Sequence, residues 1–277
     1  MSMLSTDYIK PIDIEMLTTG LQFPEGPAFT ADGTLWAVEL KGERLVCYKN
    51  GQLRKYTTGG APNGIAIDKQ DSIWFCDAGQ NAVRKFEPAN ERIMTIINEV
   101  ESQSLAKPND LAFDSMGNLV FTCPGDSRTV PDGYACALLK DGTVKKITSG
   151  KYFPNGLAFT PDGRSLVMAE TYRHRLWKGD WDAATATWYN EYVWCNIGGP
   201  DGPGGPDGMA FDVDGHLYVA VFGTGEIRVA DNNGNIIKRI SLPGKRPTNC
   251  AFDPSGKLGL VVTEAETGSL LSIKEHE

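Results

Sequence analysis

Six times along the chain a short segment recurs in variant form: FPEGPAF, APNGIAI, KPNDLAF, FPNGLAF, GPDGMAF and RPTNCAF. The third residue of each is Glu25, Asn63, Asn109, Asn155, Asp207 and Thr248, and successive copies stand 38, 46, 46, 52 and 41 residues apart. A period of about 40–50 residues is the sequence mark of radially repeated β architectures. Six copies therefore predict an all-β, six-bladed β-propeller. A length of 277 residues would otherwise suggest two domains, but the repeat assigns residues 1–277 to a single one.

Each repeat has the same internal order. A short apolar strand (LAF) is followed by a turn such as TPDG, DVDG or DPSG, then by a second strand and by two more before the next copy. Glycine takes the positive φ these turns need, and the aspartate bonds its own backbone. Gly (31) and Pro (16) are abundant enough to supply that many turns. The last repeat ends after SLLSIKE, one strand short, whereas DIEMLTTGLQ near the start matches the fourth-strand segments GQLRKYTTGG and GTVKKITSGKY. Residues 10–20 are thus expected to complete the last blade and close the ring, pairing two edges that would otherwise be open. Residues 125–136 and 195–208 exceed the period, and long Gly/Pro-rich connections are often functional rims.

The formal net charge is −8, with no run of lysines or arginines. That excludes a phosphate-tracking surface and gives no attraction to anionic lipid, so neither nucleic acid nor membrane is an expected partner. The N-terminus lacks the basic and apolar regions of a signal peptide, and no apolar run is long enough to span a bilayer. A cytoplasmic protein is expected, as a monomer or small homo-oligomer. The six cysteines show no CxxC spacing and read as reduced core thiols.

In a propeller the first strand of each blade is innermost, so the six third residues converge at one mouth of the central channel. Glu25 and Asp207 with the amides Asn63, Asn109 and Asn155 make an oxygen-donor set suited to a hard divalent cation. Pro-Asn-Gly is also an ordinary turn tripeptide, but the turn does not require acids at Glu25 and Asp207, and two acids aimed at one channel repel without a cation between them. Glu39, Asp77, Glu170 and Glu264, at the ends of second strands, return to the same face, either as turn caps or as groups that orient ligands. The three histidines fall in no HExxH spacing, and neither a GxSxG elbow nor a Walker loop is present. Water activated by a metal is the remaining route to catalysis.

The ordered set FPEGPAF, KPNDLAFDSMGNL, FPNGLAFTPDGRSLVMAETYRHRLW, PDGMAFDVDGHLYVAV and PTNCAFDPSGKLGLVVTEA resembles the senescence marker protein (regucalcin)/gluconolactonase/luciferin-regenerating enzyme-like family over nearly the whole chain. The resemblance implies one divalent metal (Ca, Zn, Mn, Mg or Fe) held by Glu25, Asn155 and Asp207. It also implies that Asp207 is the candidate general base and that Asn109 lies near the metal and binds substrate. Members commonly hydrolyse aldonolactones, so a small sugar-type lactone is the expected substrate, with Asn109, Lys107 and Asn63 placing its hydroxyls. Sugar lactonases of the family often carry Arg where Lys107 stands, which keeps the charge but loses the bidentate fork. The alternatives are a phosphotriesterase-like hydrolase on the same metal site and a calcium-binding propeller without turnover.

Overall fold

A computed structural model describes residues 12–275; residues 10 and 11 of the expected closing segment, and His276, lie outside them. Six four-stranded antiparallel sheets are arranged as a six-bladed β-propeller. The innermost strands are Pro24–Phe29, Pro62–Ile67, Leu111–Phe113, Pro154–Phe159, Gly205–Phe211 and Pro247–Phe252. Each of them neighbours the next, and the last neighbours the first. In the sixth blade the outermost strand is Ile12–Thr18, which runs antiparallel to Ser269–Glu275 with Ile12 opposite Glu275. The one helical turn among the described residues is the 3-10 segment Thr171–Arg173, and no described helix is long and apolar enough to cross a membrane.

The second strands are buried on both faces, which explains why Leu35–Glu39 and Leu119–Cys123 are mostly apolar rather than alternating. Alternation sorts their side chains between two neighbours. Trp36 and Val38 pack against Ile65, Ile73 and Phe75 of the second blade, while Leu35 and Ala37 pack against Val261 and Leu270 of the sixth. One such apolar layer lies between each pair of adjacent blades. All six cysteines are free and buried.

The innermost strands are not regular. In five blades the register slips where the repeated motif lies, between Glu25 and Ala28, Pro62 and Ile65, Pro154 and Leu157, Pro206 and Met209, and Pro247 and Asn249. A bulge re-aims the side chain it carries, and the proline beside it has no N–H to leave unpaired. Hydrogen bonds then tie innermost strands to the neighbouring blades. Thr122 Oγ1 donates to Asn155 O (2.9 Å), Thr171 Oγ1 to Pro206 O (2.8 Å) and Thr248 Oγ1 to Pro24 O (2.7 Å). Thr248 therefore joins the sixth blade to the first.

Two segments differ from expectation. Of residues 125–136, the last four already belong to the strand Gly133–Leu138, so the extra loop is shorter than the period suggests. A small hairpin, Glu99–Val100 with Gln103–Ser104, separates the second and third blades, and no repeat-based argument foresees it.

Candidate active site

Five of the six third residues of the motif are buried or half-buried on polar atoms that have few partners. Glu25, Asn63, Asn155 and Asp207 are buried, and Asn109 is half-buried. The amide of Asn155 is oriented by its neighbours: Nδ2 donates to Thr171 Oγ1 (3.1 Å), whose own proton goes to Pro206 O. Its Oδ1 is left buried without a hydrogen-bond partner. An orphaned oxygen of this kind in a native fold asks for a ligand.

The carboxyls around it have the same need. Burial raises the pKa of Glu25 well above the usual carboxylate range, with the charges of Asp207 and Asp110 adding to the effect. Burial and Asp110 likewise raise Asp207, while a contact from Asn155 pulls the other way. Buried acids whose pKa values rise, two of them further raised by a neighbouring carboxylate, mark a site in which positive charge is missing. Oxygen-only donors, one of them orphaned, fit a hard divalent cation.

Asp110 was not foreseen as part of this group. The fourth motif position reads Gly26, Gly64, Asp110, Gly156, Gly208 and Asn249. Asn249 Nδ2 donates to Asp110 Oδ2 (3.3 Å), so two side chains from opposite parts of the ring meet in the channel. Burial pushes the Asp110 carboxyl to about 7. The glycines make this possible, since a Cβ on Gly64 would collide with the Asp110 carboxylate and one on Gly208 with the Asn249 amide. The sequence signal lies one position further along the motif: four glycines, one acid, one amide.

The second-strand acids do something else. Glu39, Asp77, Glu170 and Glu264 are fully buried, at 0–1% exposure, and each accepts a hydrogen bond from a backbone N–H at the start of its own blade: Gln22, Ala61, Tyr152 and Arg246. Arg44 and Lys55 neutralise Glu39, Arg84 neutralises Asp77, and Arg175 neutralises Glu170. These are the turn caps of the two roles expected for them. The third and fifth blades carry Cys123 and Phe222 there, and other groups take over: Ala106 N donates to Tyr134 Oη (3.0 Å), and His174 Nε2 lies 3.1 Å from Gly204 O.

Lys107 is exposed and bound by the Asp126 carboxylate at 2.7 and 2.8 Å. A further set of potential metal-binding side chains, Asp212, Asp214 and His216, lies at the opposite end of the innermost strand from Asp207. Asp212 accepts from the Asp214 and His216 backbone and pairs with His216 Nδ1 at 3.0 Å, the geometry of a turn.

Residues 23–266 match the family described as the SMP-30/Gluconolactonase/LRE-like region. The chain is 35% identical to diisopropyl-fluorophosphatase of Loligo vulgaris, over 86% of this chain and 79% of that protein. It is 24% identical to gluconolactonase of Zymomonas mobilis, over 88% of this chain and 77% of the relative. Among solved structures, a gluconolactonase from Xanthomonas campestris shares the fold with a TM-score of 0.83 at 24% identity, covering 95% of this chain and 89% of that one.

Proposed function

The chain belongs to the SMP-30/gluconolactonase/LRE-like family, and from that premise we propose that it is a hydrolase that opens a small sugar-type lactone at the mouth of the propeller channel. The observation carrying this reading is the orphaned Asn155 Oδ1 beside two acids that lack a counter-charge. Glu25, Asn155 and Asp207 would hold one divalent cation. When bound, such a cation supplies positive charge against which a carbonyl oxygen can become an oxyanion.

The remaining work falls to the chain's own residues. Asp207 accepts a proton from water as the water oxygen attacks the carbonyl carbon, then returns it to the ring oxygen as the C–O bond breaks, leaving a hydroxy acid. Burial, with the charge of Asp110, raises its affinity for a proton, the direction that suits a carboxylate acting as general base. Asn109 and Asn63 hold substrate hydroxyls on the two blades between Glu25 and Asn155, and Lys107 extends that surface outward. The bulges at the motif hold Glu25, Asn63, Asn155 and Asp207 before substrate arrives, so little reorganisation of these groups accompanies binding.

A second reading, hydrolysis of a phosphotriester on the same residues, is favoured by the identity to the Loligo enzyme. The test is proton release from a panel of aldonolactones and an activated phosphotriester, before and after chelation and with circular dichroism recorded alongside. Lactone opening that chelation abolishes while the β spectrum persists is the expected result. Phosphotriester turnover alone would replace the first reading by the second. Turnover untouched by exhaustive chelation would remove the metal from both.

A further inference from the structure

The motif's first residue marks a rim above the acids. Phe23, Lys107 and Phe153 occupy it in three blades, all in the left-handed region, with φ of 60°, 50° and 57°. Bulky residues are seldom found there, and such outliers collect at ligand-binding positions. Each of the three side chains meets a charged group from a neighbouring loop. Lys107 meets Asp126, Phe23 carries Lys41 Nζ 5.2 Å from its ring centroid, and Phe153 carries Arg128.

The Phe153 arrangement is the most developed. Phe153 and Tyr172 stand edge to face with centroids 5.3 Å apart, and the Arg128 guanidinium lies 5.6 Å from both rings. The loop that bears Arg128 is pinned. Ser127 is fully buried, accepts from Phe153 N (2.9 Å) and donates to Pro124 O (2.6 Å). Phe153 is two residues before Asn155, and Tyr172 follows the Thr171 that orients the Asn155 amide. Yet among the described residues the guanidinium makes no ion pair and no side-chain hydrogen bond. Asp126 is the acid whose pKa it helps to lower, and that carboxylate is already taken by Lys107. A planar fork with all its donors free, held beside aromatic rings, is how proteins present arginine to carboxylate or phosphate.

We propose that this mouth selects lactones bearing an anionic group, carboxylate or phosphate, away from the reacting carbonyl, and that Arg128 on its Phe153–Tyr172 platform is the residue that reads that group. The inference rests on the lactonase reading and narrows its substrate class. With a net charge of −8 and acids in the channel, an anion is repelled over most of the surface, so a local unpaired cation decides where one can settle. Lys107, already neutralised, cannot supply that charge.

The experiment uses a hexono-1,5-lactone, its 6-carboxylate counterpart and its 6-phosphate ester. The intact protein should open at least one anionic lactone with kcat/KM at least about tenfold above the neutral one at low ionic strength, a margin that shrinks with salt. Arg128→Gln should lower kcat/KM for the anionic lactone about 10-fold to 100-fold more than for the neutral one, chiefly through KM, and Arg128→Lys should recover part of the loss. The carboxylate and phosphate arms show which anion is meant. Equal handling of all three lactones, or an equal loss on each in Arg128→Gln, overturns the inference. Calorimetric binding of the open-chain 6-carboxylate and 6-phosphate acids separates it from the lactonase reading. If no lactone is opened but these acids bind the parent protein and not Arg128→Gln, the lactonase reading falls and the anion site stands. If neither acid binds, the anion site falls.

Discussion

Two sets of buried carboxylates face the same end of this propeller, and they have opposite fates. Glu39, Asp77, Glu170 and Glu264 are each surrounded by donors: backbone N–H groups, and an arginine or lysine in three cases, with Thr267 Oγ1 bonding Glu264 in the fourth. Glu25, Asp207 and Asp110 are as deeply placed but have no cationic partner among the described residues; burial raises all three pKa values, and neighbouring carboxylates add to the rise at Glu25 and Asp207. Burial of an acid therefore says little about function. What separates the sets is whether the fold surrounds the carboxylate with donors, charged or neutral, or leaves it beside other acids.

The sharpest way to break the comparison is an isosteric change in the channel. Asp207→Asn keeps an oxygen for a cation but cannot take a proton, so kcat/KM should fall by about 10²–10⁴-fold while the melting temperature holds or rises. A loss of stability instead, with turnover per folded molecule intact, would place Asp207 among the structural acids.

The converse change belongs to the other set. Asp77 accepts from Ala61 N, Gly79 N and Gln80 N and pairs with Arg84 at 2.8 Å. Asp77→Ala would leave a buried guanidinium without its partner, which typically costs about 3–5 kcal/mol. Denaturant unfolding should show that loss, with kcat/KM per folded molecule within about threefold of the parent, the scatter expected of a residue outside the chemistry. If Asp77→Ala folds normally and loses catalysis, the division between the two sets is wrong.

The same contrast explains what the sequence could and could not tell. Blade number, strand order and the convergence of Glu25, Asn155 and Asp207 follow from a 40-to-50-residue period and a fixed frame, because periodicity is a local property of the chain. Asp110 and Asn249 escaped because their meaning depends on contact between blades 139 positions apart. A one-residue shift of frame shows four glycines and two polar side chains, but which side chain fills whose gap is set by the ring. The capping role of Glu39 and its kin was undecidable for a similar reason: an acid at a strand end reads alike whether or not Arg44 or Arg84 lies across from it.

The smallest effect concerns Asp110, and its sign can be worked out. Its carboxyl titrates near 7 in the fold against an ordinary value of 3.8, so the folded protein binds that proton more tightly than the unfolded chain does. The stability this contributes is fully present below about 3.8 and is lost as pH rises through about 7. With metal removed by chelator, the melting temperature should therefore fall between pH 5 and 8. Glu25 and Asp207, raised in part by Asp110, act in the same direction. Asp110→Asn retains an oxygen that can accept from Asn249 but carries no charge, and it also relieves the other two acids. Its slope over that range should be flatter, with a difference of about 2–3 kcal/mol accumulated between pH 5 and 8. Parallel curves for Asp110→Asn and the parent would mean that the channel floor carries no unbalanced charge, and the distinction between the two sets of acids would then rest on Glu25 and Asp207 alone.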